Sequence, residues 1–432
     1  MAVVAEVRLW GSTIGAVAVD GPGEVATFQY DGSFVRSGIQ VSPLQMPLRS
    51  QPYQFPELSM QTFHGLPGML ADALPDAFGN AVLSSWLMSQ GRHPSTLSAV
   101  ERLCYTGNRG MGALEFYPTH GPNNVGSEDV QIEALVHLAS KVLQQRSAFT
   151  DHLDTPGLQR LLHVGTSAGG ARAKAVLAWN ESTGELKSGQ IPAAEGFEYW
   201  ILKFDGVVGN RDKELEDPQG YGAVEYAYSL MAKAAGIHMT ECRLMADHGR
   251  HHFMTRRFDR LADGDKLHVQ SLCAMAHLDY NAAGAHSYEQ ALSVARLLQL
   301  DVDEQQQLFR RLVFNVVARN QDDHTKNIAF LMDRSGRWFL APAFDVTWAY
   351  NPQGDWTSMH QMTINGKRDN FSIADLTQCA RTASISSRTA ASIIADVTNA
   401  VRQWPLFAAE SGVDPSWIDA IQQTHRLTLP RR

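Results

Sequence analysis

Cysteine is scarce. The 432 residues include four, Cys104, Cys242, Cys273 and Cys379, and none stands in a C-x-x-C pair. A secreted fold held by disulfides carries them more densely, so four free, mostly buried thiols are expected. Long apolar runs are missing as well. No uninterrupted stretch reaches the roughly 18 residues that a membrane-crossing helix needs. The opening MAVVAEVRLW has neither the basic start nor the apolar core of a secretory leader, which makes a cytoplasmic location the expectation. Basic charge is in deficit, with 37 Lys and Arg against 45 Asp and Glu and a net charge of -8. Autonomous binding to DNA or RNA relies on a basic surface that neutralises phosphates, so DNA contact is expected only through a partner.

Several chemical signatures are also missing. Neither G-x-x-x-x-G-K-[ST] nor G-x-G-x-x-G occurs, which removes the ordinary Walker and dinucleotide loops. Ser12, Ser95 and Ser271 lie outside any nucleophile elbow. His324 with Asp322 and Asp323 has no second D-x-H or H-x-x-x-H unit nearby to complete a metal cluster. His251 and His252 read as surface residues on an extended connector.

What is present is an ordered pattern, 44% apolar and without polar tracts. Alternation in 7–9, 14–19 and 26–30 predicts strands joined by tight turns. Over 68–90, Leu70, Leu74, Phe78 and Val82 fall at four-residue steps and predict a helix. After a strand at 114–117, PTHGPNNVG (118–126) reads as a linker. Helices are predicted over 129–145, 223–235 (closed by Gly236), 286–300, 306–319, 388–403 and 415–427, with strands at 197–204 and 253–258. The expectation is an α+β chain with a β-rich unit (1–118), a small mixed lobe (127–260) and a mainly helical lobe (261–432).

Chemistry concentrates in RNQDDHTKNIAFL (319–331) and FLAPAFDVTWAY (339–350). Asp322 and Asn327 lie five apart after a long apolar helix, and Asp345 follows 18 residues later. Phosphoryl transfer asks a protein mainly for positioning and neutralised charge: one carboxylate to orient the attacking hydroxyl, and a carboxylate and an amide to hold magnesium on the phosphates. Loops rich in Asp, Asn and His are commonly only turns and caps, so the neighbours decide. Lys203 sits inside an apolar strand, where a lysine needs an anion, and Glu225 lies 22 residues on, in the next helix. Strand Lys, helix Glu, connector, then Asp, Asn and Asp is the protein-kinase order. Gly169 and Gly170, between Ser167 and Lys174, permit the close backbone approach that cradles phosphate.

These residues resemble the HipA kinases of type II toxin–antitoxin systems, over most of the chain. GLPGMLADALPDAFGN (65–80) and GNRGMGALEFYP (107–118) look like the family's N-terminal subdomain. TSAGGARAK resembles its phosphate loop, which implies ATP contacts from Gly169, Gly170, Ala171, Arg172, Ala173 and Lys174 and an autophosphorylated, regulatory Ser167. ILKFD resembles the strand whose Lys203 meets ATP phosphates, with Glu225 behind it, and RRFDR the hinge where Arg256 and Phe258 line the adenine site. QDDHTKN and PAFDV resemble the catalytic and metal-binding segments. They imply Asp322 as the base, His324 and Lys326 beside the nucleotide, and Asn327 with Asp345 as magnesium ligands.

The resemblance thus implies a bilobal, kinase-like fold and an ATP- and magnesium-dependent serine/threonine-protein kinase. It would be a toxin restrained by a small DNA-binding antitoxin of the HipB type, with a translation component such as an aminoacyl-tRNA synthetase as substrate. A small-molecule phosphotransferase shares the Asp-x-x-x-x-Asn loop, and an ATP-binding co-repressor acting with an antitoxin is a third reading. The acidic balance generates a direct expectation. The isolated chain should bind operator-length duplex DNA only weakly and lose that binding as salt rises; tight, sequence-specific retention by the chain alone in a mobility-shift assay would refute it.

Overall fold

The computed structural model of the chain describes residues 2–121, 130–144, 155–164, 172–190, 195–207, 219–261 and 264–432. β1 (Val3–Leu9) and β2 (Ser12–Val19) pair antiparallel around Trp10 and Gly11, both at positive φ (50° and 79°), as a tight hairpin requires. Ala5, Val7 and Leu9 point into the core, while Glu6 and Arg8 face outward and pair at 2.9 Å. With β3 (Thr27–Tyr30) and β4 (Leu114–Tyr117) the sheet order is β3-β2-β1-β4.

The helix expected over 68–90 is broken. Pro75 cannot donate to a helical ladder, so the segment divides into Gly68–Ala71 and Ala77–Ser89. Asp76 caps the second helix, its carboxylate accepting from the Gly79 N–H at 2.7 Å. This helix buries Phe78, Val82 and Leu87 in a core shared with helices Ile132–Gln144 and Thr155–Val164 and with the sheet that follows them in sequence.

That sheet is antiparallel, in the order β6-β5-β7-β9-β8, from β5 (Lys174–Trp179), β6 (Leu186–Ser188), β7 (Glu198–Lys203), β8 (Cys242–Asp247) and β9 (Arg250–Arg256). Helix Tyr221–Ala234 links β7 to β8 and ends before Gly236 at φ 78°. The pairing corrects one expectation: His252 is buried, because β9 turns it inward, where its Nδ1 accepts from the Asp205 N–H at 2.9 Å, whereas His251 is exposed.

The C-terminal part is mainly helical. Val302–Val317 starts earlier than its apolar stripe because Asp301 and Glu304 form a capping box, and Tyr288–Leu297 has one from Ser287 and Gln290. Ser387–Arg402 and Pro415–Thr424 follow, the latter ending before an extended His425 rather than running to 427. A three-stranded sheet, β10 (His268–Ser271), β11 (Ala329–Met332) and β12 (Trp338–Leu340), was not expected; its strands are too short to announce themselves. All four cysteines are free and buried. Among the described residues no helix is long and apolar enough to cross a membrane.

Two of the contacts that dock the N-terminal unit on the rest stand out. A Cβ on Gly68 would lie 2.5 Å from the Ala274 carbonyl, so only glycine permits this approach, and its N–H donates to His277 Nε2 at 3.0 Å. The second is a buried ion cluster. Arg257 forks onto Asp259 at 2.9 and 2.7 Å, Arg260 joins at 2.6 Å, and Asp259 also accepts from the Gly112 N–H at 2.7 Å. Burial by itself would raise the Asp259 carboxyl, but Arg257 and Arg260 overcome it and hold it well below the usual carboxylate range. Its stabilising contribution is therefore present above the unfolded value of about 4 and is lost as pH falls toward the lowered folded value.

Asp259→Ala strands two buried guanidinium groups and should cost about 3–5 kcal/mol. Thermal unfolding at neutral pH measures the loss, and it should shrink on acidification; an unchanged midpoint would refute the latch.

Candidate active site

Lys203 ends β7, the central strand of the five-stranded sheet, and pairs in register with Lys174 and Phe253. Its Nζ meets Glu225 Oε1 at 2.5 Å and also contacts Asp345 Oδ1. Glu225 lies on helix Tyr221–Ala234, where its carboxylate is 1% exposed and its other oxygen accepts from Arg172 Nη1 at 2.7 Å. Burial would lower the Lys203 ammonium, but Asp345 and Glu225 outweigh it and hold the group above its ordinary value. Asp345 stands at φ 52°, a left-handed conformation that a short polar residue tolerates better than most. It follows β12 and lies next to Phe344, whose ring is 5.7 Å from that of Phe258.

The loop after helix Val302–Val317 carries the second group. Asn327 closes a short 3-10 turn, Thr325–Asn327, and its Nδ2 donates to the Asp322 carbonyl at 2.7 Å. Thr325 ties the turn to the Leu278 carbonyl at 2.7 Å. The adjacent aspartates have different surroundings. Asp323 is buried and accepts from Tyr288 Oη (2.7 Å) and the Gln361 N–H (2.8 Å), with His360 Nδ1 at 2.8 Å. Burial would raise its carboxyl, but His360 and these hydrogen bonds keep it lowered. Asp322 keeps 39% of its side chain exposed, with Trp356 Nε1 donating to Oδ1 at 2.7 Å and His324 Nε2 3.8 Å from the same oxygen. Asp323 anchors the loop; Asp322 presents a carboxylate. Asn327 and Asp345 line one cavity with Arg311, Tyr288 and Phe344.

The structure therefore brings Lys203, Glu225, Arg172 and Asp345 into one ion cluster and places Asp322, His324 and Asn327 on one loop. Other expected site residues go elsewhere. Lys174 is buried against Asp76 at 3.1 Å, and Ala173 is buried at the start of the same strand segment. Lys326 lies over the Tyr280 ring at 4.8 Å; burial would lower its ammonium, but Asp72, with Tyr280, keeps it raised. Arg256 pairs at the surface with Glu198 at 2.9 Å. Ser167, Gly169, Gly170 and Ala171 lie outside the described residues. Sequence reasoning missed Trp356 and the carboxylates Asp72 and Asp76. The two carboxylates had a signal, the paired acids of DALPD; an isolated Trp in a loop had none.

Glu225 pairs with two buried cations. Glu225→Gln should destabilise the chain by about 3–5 kcal/mol, read as a lowered urea midpoint. A variant as stable as the parent would refute the shared pairing.

Comparison with known proteins bears on the fold and the family. A chain of the Shewanella oneidensis toxin–antitoxin complex of HipA, HipB and operator DNA superposes at a TM-score of 0.68 with 18% identity, covering 97% of this chain and 95% of that one. CtkA, a proinflammatory kinase of Helicobacter pylori, aligns over 53% of this chain and 88% of its own at 13% identity, but a TM-score of 0.33 establishes no common fold. A Haemophilus influenzae protein named "Putative kinase" is 26% identical over 134 residues, 28% of this chain and 39% of that protein, so the match spans well under half of that relative. Residues 5–117 match the HipA N-terminal domain and residues 166–404 the HipA-like C-terminal domain, and on those matches the chain belongs to the HipA family.

Proposed function

We propose that the chain is an ATP-dependent serine/threonine-protein kinase, the toxin of a toxin–antitoxin pair. The observation that carries this reading is the convergence of Lys203, Glu225 and Asp345 in one buried cluster, with Asp345 and Asn327 on a common cavity and Asp322 exposed on the same loop as Asn327. Lys203 would exchange its Asp345 contact for ATP phosphates while Glu225 keeps it in place. A carboxylate from Asp345 and an amide oxygen from Asn327, whose Nδ2 is engaged by the Asp322 carbonyl, form a hard-oxygen set suited to magnesium. Such an ion would neutralise charge on the phosphates. Phe258 and Phe344 offer the apolar surface an adenine ring needs.

Asp322, rather than buried Asp323, would accept the proton of the attacking hydroxyl. Autophosphorylation at Ser167 and a translation component as substrate follow from the family resemblance. A small DNA-binding antitoxin fits the net charge of -8 and the HipB and operator DNA in the Shewanella complex.

Incubating the pure chain with labelled magnesium-ATP and a cell lysate tests the reading, with transfer of label to protein expected. Asp322→Asn should lower the rate by about 10²–10⁴ while ATP still binds. Asp345→Ala should lower both ATP affinity and its magnesium dependence in a titration. Full activity in the first variant would move the base elsewhere, and an unchanged magnesium dependence in the second would move the metal.

A further inference from the structure

The loop that follows Asp345 is stapled to the catalytic loop. The Gln361 N–H donates to Asp323 Oδ1 at 2.8 Å, and its Nε2 reaches the Gln321 carbonyl at 3.3 Å and also the Trp356 carbonyl. From the other side, Gln321 Nε2 donates to the Thr357 carbonyl at 3.3 Å. These bonds hold the backbone at 356–361 in a set relation to Asp322. Trp356 uses that placement: its indole N–H meets Asp322 Oδ1 at 2.7 Å.

We propose that Trp356 is a positioning residue for the transfer step, an inference that rests on the kinase reading above. An indole nitrogen is a donor only and cannot take the substrate's proton. Bound to Oδ1, it fixes the carboxylate plane and leaves Oδ2 to face the acceptor hydroxyl. In the step itself the acceptor oxygen bonds the γ-phosphorus as the bond to the β,γ-bridging oxygen breaks. That electron pair leaves with ADP, and the hydroxyl proton passes to Asp322; the indole proton stays where it is. A carboxylate free to rotate about its last bond would reach this geometry less often, so the loss should fall on turnover and not on nucleotide binding.

The test follows ADP formation from magnesium-ATP, with water or the chain's own hydroxyls as acceptor. Trp356→Phe keeps the ring and removes the N–H. It should lower kcat about 10- to 100-fold with the KM for ATP unchanged. In an Asp322→Asn background the same substitution should add nothing, because both act through one carboxylate. Trp356→His, which restores a ring N–H, should recover part of the rate and guards against a variant that merely folds poorly. If Trp356→Phe keeps full kcat while Asp322→Asn loses it, or if the two losses multiply, the positioning role is overturned and the kinase reading stands. If the unsubstituted chain forms no ADP, the kinase reading fails and takes the inference with it.

Discussion

The arrangement depends on one buried carboxylate, that of Glu225. It is held between the Lys203 ammonium and the Arg172 guanidinium, and Lys203 in turn reaches Asp345. Desolvating four charges is expensive, and an ion pair recovers that cost only with good geometry and complete partnering. Two cations here meet two anions, so the charges are matched. The cluster therefore ties β5 and β7, helix Tyr221–Ala234 and the segment after β12 to a single geometry.

The N-terminal unit is integrated into this frame. Asp76 caps its own helix and holds Lys174 at the start of β5, while Asp72 accepts from the Ser271 N–H at 2.7 Å and supports the charge of Lys326. The Asp259 cluster joins the 110–112 turn to the segment leaving β9, since Arg257 and Arg260 also donate to the Gly110 carbonyl at 3.3 and 3.0 Å. Buried ion pairs are directional in a way that apolar packing is not, so they set how these parts meet as well as that they meet.

The two adjacent aspartates in the loop after helix Val302–Val317 differ by the same logic. Asp323 is enclosed by Tyr288, His360 and the Gln361 N–H, and His360 Nε2 lies 3.0 Å from Arg426 Nη1, which links the loop to the residues after helix Pro415–Thr424. A carboxylate so fully occupied is a support. Its neighbour Asp322, in contact with Trp356 and partly exposed, has capacity to spare for a reacting group.

By itself the sequence determined the elements with strong periodicity and the order of the charged residues. The opening hairpin, the helix around Glu225 and the long helix before Asp322 were legible because alternation and four-residue stripes are local properties. So was the pairing of Lys203 with Glu225, since a lysine in an apolar strand must find an anion. Other features were decided only by tertiary structure. The burial of His252 and the short β10–β11–β12 sheet depend on partners distant in sequence. The same holds for the different surroundings of Asp322 and Asp323, two identical side chains side by side, of which the resemblance had already pointed to Asp322. Trp356 carries no local pattern at all, and its contact with Asp322 exists because a loop 34 residues on is folded back against it. Residue type sets which interactions are available, but burial and distance select among them, and those are properties of the folded chain.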